Sequence, residues 1–245
     1  MRRVAIAGAT SAIAQEAARC FARDGASLFL AARDPEKLSA VADDLRARGA
    51  AQVETQRVDL ADLERCRALP AEALARLGAL DVLLVAHGTL PDQAACERDP
   101  EQALREISLN GLSAIALAAS AASLFESQGS GCIAVITSVA GVRGRRSNHV
   151  YGAAKAAVST YLEGLRGRML EFGVPVVDIR PGFVDTPMTA DIEKNRLFAS
   201  AQSVGQRVYR AIGAGEGVVY TPWFWRWIML VIRLIPGRIF SRLRF

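Results

Sequence analysis

A serine, a tyrosine and a lysine fall close together in the middle of the chain, and their spacing suits proton transfer to an oxygen atom. Ser138 ends a run of apolar residues. Tyr151 and Lys155 come later in the chain, and four positions separate them from each other. Two residues at that spacing share one face of a helix, so the ammonium would favour the ionised phenol and lower its pKa. The lowering matters because an unperturbed tyrosine titrates about three pH units above neutrality. With a serine hydroxyl to hold a substrate oxygen, the pattern predicts acid–base chemistry.

A glycine turn near the start of the chain is the second feature that could serve chemistry. The first apolar run passes through Gly8-Ala9-Thr10-Ser11-Ala12-Ile13-Ala14 into a helical pattern. A tight turn at a helix N-terminus presents N–H groups and a positive dipole end to a pyrophosphate. The usual dinucleotide fingerprint has three glycines, whereas Ala12 and Ala14 stand at two of the small positions here. Taken alone, a plain strand–helix turn is the alternative.

The end of the second apolar run bears on which nucleotide would bind. An NAD site usually places a carboxylate here for the ribose hydroxyls, while an arginine accommodates the 2′-phosphate of NADP. This run ends in Ala32 and Arg33, which removes the negative charge and supplies a positive one. We therefore favour NADP(H), with NAD(H) as the alternative if Arg33 only begins a solvated helix. Asp59, after the third run, is placed to reach the adenine edge.

The elements that must position these residues follow from alternating short apolar runs and longer helical patterns. Runs such as VLLVA and IAVIT suit strands buried on both faces of a parallel sheet. The fold class is therefore α/β, a Rossmann-type doubly wound parallel sheet of about seven strands with ligand loops at the carboxyl ends. The predicted strands are 3–7, 27–31, 52–58, 81–85, 131–137, 175–179 and 218–220. The predicted helices are 12–24, 35–48, 62–77, 101–127, 150–172 and 203–213.

In motif order and spacing, residues 2–220 resemble the short-chain dehydrogenase/reductase family. The resemblance implies that Tyr151 is the general acid/base, that Lys155 lowers its pKa and binds the nicotinamide ribose, and that Ser138 orients the substrate. It also implies that Asn110, in Ser-Leu-Asn-Gly, holds a proton-relay water. The loop PGFVDT resembles the family loop that contacts the nicotinamide carboxamide and phosphates. The cofactor residues expected from motif and resemblance are Gly8, Thr10, Ser11, Ala12, Ile13, Arg33, Asp59, Leu60, Ala86, His87, Gly88, Tyr151, Lys155, Pro181, Gly182, Val184 and Thr186.

Two departures from the family pattern indicate which branch of the family the sequence resembles. The family's Asn-Asn-Ala-Gly after the fourth strand is Val85-Ala86-His87-Gly88 here, which loses an asparagine that braces the sheet. We interpret His87 as a structural residue of the cofactor cleft and not as an acid or base. With the depleted glycine turn, this resembles the decaprenylphosphoryl-2-keto-ribose reductases and their bacterial relatives, a branch that reduces a keto-sugar attached to a polyprenyl phosphate.

The substrate side is predicted from the segments that flank the catalytic residues. Arg143, Arg145 and Arg146 precede Tyr151, and arginine clusters bind phosphates with fork geometry. A solvated surface loop is the alternative. Met188 belongs to the segment 187–200, a candidate lid with an apolar ceiling, although a packed helix would have the same composition.

The last residues carry the excess positive charge. The formal net charge is +5, from 30 basic and 25 acidic residues. All 25 acids and 25 of the bases lie in residues 1–217, so the body is neutral and nucleic acid is not an expected partner. The other bases are Arg226, Arg233, Arg238, Arg242 and Arg244. We therefore divide the chain into a catalytic domain, 1–220, and a tail, 221–245.

Tryptophans among these arginines predict an amphipathic helix in the tail. Trp223, Trp225 and Trp227 suit a helix lying at a membrane surface. Arg226 and Arg233 interrupt the apolar stretch, which makes it too short for a full membrane span. Packing against another subunit is the alternative.

The remaining composition bounds the compartment and the function. Four scattered cysteines and two histidines predict no metal site and fit a reducing compartment. We expect a cytoplasmic homo-oligomer, a dimer or tetramer, that contacts the inner face of the membrane through its tail. Its predicted activity is NADP(H)-dependent hydride transfer to a carbonyl or from a secondary alcohol, on a lipid-linked keto-sugar. The alternatives are a soluble hydrophobic ketone, with the tail used for assembly, and a nucleotide-sensing scaffold without turnover.

Overall fold

A parallel seven-stranded sheet forms the centre of the computed structural model, which describes residues 2–243. Its strand order is β3-β2-β1-β4-β5-β6-β9, so the chain winds outwards from β1 in both directions. The predicted sheet is confirmed, with strand ends shifted by one or two residues. The strands are β1 (Arg3–Ala7), β2 (Ser27–Ala32), β3 (Gln52–Arg57), β4 (Val82–Val85), β5 (Ile133–Ile136), β6 (Val176–Pro181) and β9 (Val218–Thr221).

Helices cover both faces of this sheet, which is why its strands are apolar throughout. One face packs on α1 (Ala12–Arg23), α2 (Pro35–Ala47) and α8 (Ala201–Ala214). The other packs on α3 (Leu63–Leu77), α6 (Ser113–Gln128) and α7 (His149–Met169). Alternate residues of each strand enter the two cores, as a doubly wound fold requires.

The predicted helix 101–127 is divided in the structure. After α4 (Gln93–Arg98) come α5 (Pro100–Ile107), a π-helical turn (Ser108–Leu112) and then α6. A π-turn inserts an extra residue and often marks a functional position; here it contains Asn110. By length and composition alone, the run Pro100–Gln128 is apolar enough to cross a membrane. Because Leu117, Ala121 and Phe125 of this run are fully buried in the protein, we interpret it as a core helix.

Two small features surround the carboxyl ends of β5 and β6. The segment predicted as a lid holds a 3₁₀ turn (Pro187–Thr189), and its end, β8 (Ala199–Ser200), pairs in parallel with β7 (Val184–Asp185). The tail forms two helices, α9 (Trp225–Leu234) and α10 (Gly237–Phe240), because Pro236 interrupts them. The tail's Arg244 and Phe245 lie outside the described residues.

Candidate active site

A cleft of about 400 Å³ opens at the carboxyl ends of the central strands. The structure brings every predicted cofactor residue to this cleft. Of the predicted catalytic residues, Ser138, Tyr151 and Lys155 line it and Asn110 lies behind it. Among the predicted substrate residues, Arg145 and Met188 line the cleft, whereas Arg143 and Arg146 do not.

The turn after β1 requires its single glycine. Gly8 has a φ of 85°, and a Cβ built on it would lie 2.5 Å from the backbone nitrogen of His87. Any side chain would therefore push β1 and the turn after β4 apart. The following helix begins at Ala12, and its N-cap residue Ser11 makes no side-chain cap hydrogen bond. The first-turn N–H groups thus remain available to an anion in the cleft.

Arg33 and its neighbour Asp34 have different surroundings at the end of β2. The Asp34 carboxylate caps α2 by accepting hydrogen bonds of 3.1 Å from the backbone N–H groups of Glu36 and Lys37. Arg33 is exposed at the rim of the cleft and forms no ion pair with the part of the chain that the structure describes. One end of the cleft therefore offers a free guanidinium, while the adjacent carboxylate is engaged elsewhere.

Tyr151 and Lys155 lie on the first turns of α7, with the Lys155 Nζ 5.7 Å from the centre of the tyrosine ring. Lys155 is buried, and its ammonium donates one long hydrogen bond, 3.4 Å, to the Ile136 carbonyl. Burial lowers the pKa of Lys155 to about 8, and the negative charge of Asp178 opposes that shift. At neutral pH the ammonium is therefore charged and has donors to spare for hydroxyl groups in the cleft.

The phenol of Tyr151 differs from the sequence-based expectation. Burial raises its pKa to about 12, while a hydrogen bond with Ser138 acts in the lowering direction. The net shift is therefore opposite to the predicted lowering, because the loss of water around the phenol outweighs the groups that favour the phenolate. A phenol with a raised pKa keeps its proton at neutral pH, so it can act as a proton donor to an oxygen held by Ser138.

Asn110 holds the turn after β4 in place. Its Oδ1 accepts a 2.9 Å hydrogen bond from the Thr89 N–H, and its Nδ2 donates to Thr89 Oγ1 and to the Glu106 carboxylate. A Cβ on Gly88 would lie 2.8 Å from Asn110 Oδ1, so the contact depends on that glycine. These bonds engage the amide of Asn110 within the protein, and the side chain acts here by positioning the loop that faces Lys155.

His87 lies in the turn where the family that the sequence resembles has a bracing asparagine, and it binds Ser113. Its Nε2 lies 2.6 Å from Ser113 Oγ, which itself donates to the Leu109 carbonyl. Since that hydroxyl proton is engaged, we assign the Nε2–H tautomer to His87. Burial lowers the pKa of His87 to about 3, so the ring is neutral. Its Nδ1 is buried without a partner and can accept a hydrogen bond from a ligand.

Three polar residues that were not predicted from the sequence support the site. Thr89 and Glu106 bind each other and Asn110, with 2.6 Å between Thr89 Oγ1 and the carboxylate. Asp178 is fully buried on β6, where it accepts from Thr137 Oγ1 and pairs with Arg180 at 2.6 Å. A lone carboxylate inside an apolar strand was a usable signal for Asp178, because buried charges need partners. No comparable local signal marks Thr89 or Glu106.

The tail packs onto the edge of the cleft. Trp225 is only 4% exposed, and it stands so close to Gly182 that a Cβ there would lie 1.9 Å from its indole nitrogen. Its ring also packs edge-to-face on Phe183, with centroids 5.5 Å apart. The loop expected to contact nicotinamide is therefore covered by the tail, and Gly182 is the residue that permits the contact.

Arg143, predicted to bind substrate, contacts the tail. One of its guanidinium nitrogens donates to the carbonyls of Ile232 and Arg233 at the C-terminal end of α9. The guanidinium carbon lies 3.9 Å from the centre of the Phe240 ring. A cation at the last carbonyls of a helix is favourable, so Arg143 fastens the tail to the loop before α7.

Comparisons with known proteins agree with this geometry. The family model described as short chain dehydrogenase matches residues 2–197. An uncharacterized oxidoreductase of Mycobacterium tuberculosis is 35% identical over 240 residues, which cover 98% of this chain and 96% of that protein. A crystal structure from Sinorhizobium meliloti has a TM-score of 0.83 at 21% identity, covering 92% of this chain and 96% of that one. The crystal structure of acetoin dehydrogenase from Salmonella typhimurium has a TM-score of 0.79 at 24% identity, covering 91% of this chain and 96% of that one. The chain therefore belongs to the short-chain dehydrogenase/reductase family, whose members are oxidoreductases that use a nicotinamide cofactor.

Proposed function

We propose that the protein reduces a carbonyl group to an alcohol with NADPH, and that Tyr151 supplies the proton. The observation that carries the proposal is the meeting of Tyr151 and Ser138 beside the buried ammonium of Lys155, on the wall of a cleft that also contains a nucleotide turn. The phenol of Tyr151 is protonated at neutral pH, so it is able to donate a proton to the carbonyl oxygen.

The residues of the cleft fit a nicotinamide dinucleotide. The uncapped first turn of α1 would hold the pyrophosphate, and Lys155 would donate to ribose hydroxyls with its unused N–H groups. The unpartnered Nδ1 of His87 offers an acceptor to the same ligand. The free guanidinium of Arg33, beside an engaged Asp34, supports NADP over NAD through the 2′-phosphate.

The protein's own residues orient the carbonyl and move the proton. The NADPH cofactor, when bound, would supply a hydride to the carbonyl carbon. Ser138 donates a hydrogen bond to the carbonyl oxygen, and Tyr151 Oη gives its proton to that oxygen as negative charge develops there. The positive charge of Lys155 then stabilises the phenolate that remains.

A cofactor-labelling experiment tests this function. Purified protein is offered ketones, diketones and lipid-linked keto-sugars with NADPH deuterated at C4, and NADH is used in parallel. We expect NADPH oxidation with deuterium recovered on the carbinol carbon of the product. A cofactor that binds while no carbonyl in the panel is reduced would favour the nucleotide-sensing scaffold.

We also propose that the tail lies on an anionic membrane surface and that the substrate is lipid-linked. Support comes from the side of the tail that faces away from the cleft, where Trp223 is 72%, Trp227 56% and Leu234 75% exposed. Arg226 and Arg233 are exposed among them, and residues 218–243 contain no acid. Exposed tryptophans with arginines suit the headgroup layer of anionic lipid.

The keto-sugar on a polyprenyl phosphate is the substrate we favour, in line with the resemblance to the decaprenylphosphoryl-2-keto-ribose reductases. A soluble hydrophobic ketone is the second candidate, favoured if the same tail surface joins subunits. Mass measurement in solution distinguishes the two uses of the tail, because an interface between subunits would be lost when that surface is made polar.

Flotation with vesicles of phosphatidylcholine and phosphatidylglycerol tests the membrane contact. Truncation after Tyr220 would also remove Trp225, so surface substitutions are the cleaner test. The double variant Trp227→Ser, Leu234→Ser should bind the vesicles at least about tenfold more weakly, because it loses two apolar side chains that would be buried in the lipid. Leu170→Ser is the matched control, because Leu170 is 77% exposed on the body. Equal flotation of the double variant and the control would contradict membrane contact.

A further inference from the structure

A second pocket lies between the loop before α7 and the end of the tail. Its volume is about 300 Å³. The loop contributes Gly144, Arg145, Arg146 and His149, and the tail contributes Phe240, Ser241 and Leu243. Arg145 also lines the catalytic cleft, so its side chain borders both spaces. Arg145 is therefore the residue at which the two spaces adjoin.

Arg145 is half-buried, and the described residues offer its guanidinium no partner. Its Nε is buried without a hydrogen-bond partner. Burial lowers the pKa of this guanidinium, and no charged neighbour among the described residues offsets that shift. An uncompensated polar group away from water is unfavourable, and more so when it is charged. The arrangement is therefore typical of a group that waits for an anionic ligand.

Arg143 provides the contrast within the same loop. Its guanidinium is engaged with tail carbonyls and with the ring of Phe240. A loop of solvated arginines, the alternative raised by the sequence, would bury neither residue in this way. The structure thus separates one arginine that fastens the tail from another whose guanidinium has no hydrogen bond or ion pair with residues 2–243.

The charges around the pocket also favour an anion. Its lining includes two arginines and no aspartate or glutamate, and the described part of the tail contains no acid. Within residues 2–243, the acidic group that approaches a lining residue is Glu97, 4.0 Å from His149 Nδ1. Arginine presents a rigid fork of N–H donors that matches a phosphate.

A second unpartnered polar group lies in the same loop, on the side of the catalytic cleft. Asn148 lines the catalytic cleft, and its Oδ1 is buried without a donor. It belongs to the same loop as Arg145, yet the two groups do not bind each other. A ligand that satisfies both would carry an anion for Arg145 and a hydroxyl for Asn148.

We propose that Arg145, assisted by Arg146, binds the phosphoryl group of a phosphorylated polyol substrate in this second pocket, with the carbonyl to be reduced extending into the cleft. The inference rests on the proposed reductase function. Substrate recognition is thereby assigned to Arg145 and not to Arg143. Asn148 Oδ1 would accept a hydrogen bond from a hydroxyl group of the substrate.

Calorimetry on the full chain saturated with NADP+ tests the site, because the cofactor's own phosphate positions are then filled. Inorganic phosphate and glycerol 3-phosphate are titrated at constant ionic strength. We expect millimolar binding that weakens at least about tenfold in Arg145→Gln, since one charge-assisted phosphate contact is removed. Arg210→Gln is the matched control, because Arg210 is exposed on α8 and has no ion pair with the described residues. Arg145→Lys keeps the positive charge but lacks the forked donors of the guanidinium. Its phosphate affinity should therefore lie between that of the wild type and that of Arg145→Gln.

Vesicles containing phosphatidic acid distinguish a lipid phosphate from a free one. Tighter binding of these vesicles than of phosphatidylglycerol vesicles, lost in Arg145→Gln, would identify a lipid-linked phosphate. Phosphate binding without such vesicle preference would identify a soluble one, and either result supports the site. Absence of phosphate binding, or equal binding by Arg145→Gln, would overturn it. NADP+ affinity is measured in the same samples, so a failed cofactor site is recognised separately.

Discussion

The two halves of the catalytic cleft are built in different ways. The half proposed to bind the cofactor consists of strand ends and the first turns of helices, where Gly8, Arg33 and Lys155 are placed by local backbone geometry. The half proposed to bind the substrate includes the loop before α7, and the tail supports that loop from outside the cleft through contacts such as Arg143 with Ile232, 89 residues apart. Local motifs therefore specify the first half, and long-range packing specifies the second.

Lys155→Met should produce the largest loss of kcat/KM, and its effect should be confined to the half of the cleft proposed to bind the cofactor. The variant lacks the charge that stabilises the phenolate and binds ribose, so we expect kcat/KM to fall by about 10³. In the wild type, NADP+ affinity should fall as the pH rises through about 8, where the ammonium becomes neutral. Fluorescence titration from pH 6 to 10 checks this. An equally steep pH dependence in the variant would contradict the assignment.

Trp225→Ala should act on the loop expected to contact nicotinamide and on stability. Its buried indole packs on Gly182 and Phe183, so we expect a loss of about 3–5 kcal/mol in the free energy of unfolding. Urea denaturation measures it. Trp223→Ala removes an exposed indole and should change the stability by less than about 0.5 kcal/mol. Similar losses in the two variants would mean that the tail is not built onto the cleft as described.

Arg33→Ala should separate the two nucleotides. We expect NADPH affinity to fall by about 10- to 100-fold, the range for charge-assisted hydrogen bonds, while NADH affinity stays unchanged. Direct binding titrations with both nucleotides check this, and thermal unfolding without nucleotide should match the wild type. A parallel loss for NADH would remove the 2′-phosphate role.

Arg143→Gln should give the smallest effect and should be local to the tail. The loss of its bonds to the α9 carbonyls should reduce stability by about 1–2 kcal/mol and speed amide exchange in α9. Arg146→Gln, in the same loop, should leave α9 exchange unchanged. If exchange rises equally in both variants, Arg143 does not fasten the tail.

The same division explains what could be predicted from the sequence. The parallel sheet follows from runs such as VLLVA, because continuous apolar strands need helices on both faces. The approach of Tyr151 to Ser138 and Lys155 follows from one helical turn after one strand end. These features depend on neighbours in the chain, so short patterns suffice to place them.

The features that were mispredicted depend on burial and distant partners. The raised pKa of Tyr151 reflects how completely the fold removes water from the phenol, which residue spacing does not encode. Arg143 and Arg145 look alike in sequence, and only the packed tail assigns them different surroundings. The π-turn at Asn110 likewise depends on its bonds to Thr89 and Glu106.

The most direct test of the central claim is single-turnover NADPH oxidation by Tyr151→Phe with a carbonyl substrate found in the deuterium-transfer assay. The phenyl ring preserves the shape of the side chain and removes only the proton donor. We predict that the rate of the chemical step falls by about 10³ or more while NADPH affinity stays within about twofold of the wild type. A variant that retains wild-type turnover would contradict the assignment of Tyr151 as the proton donor.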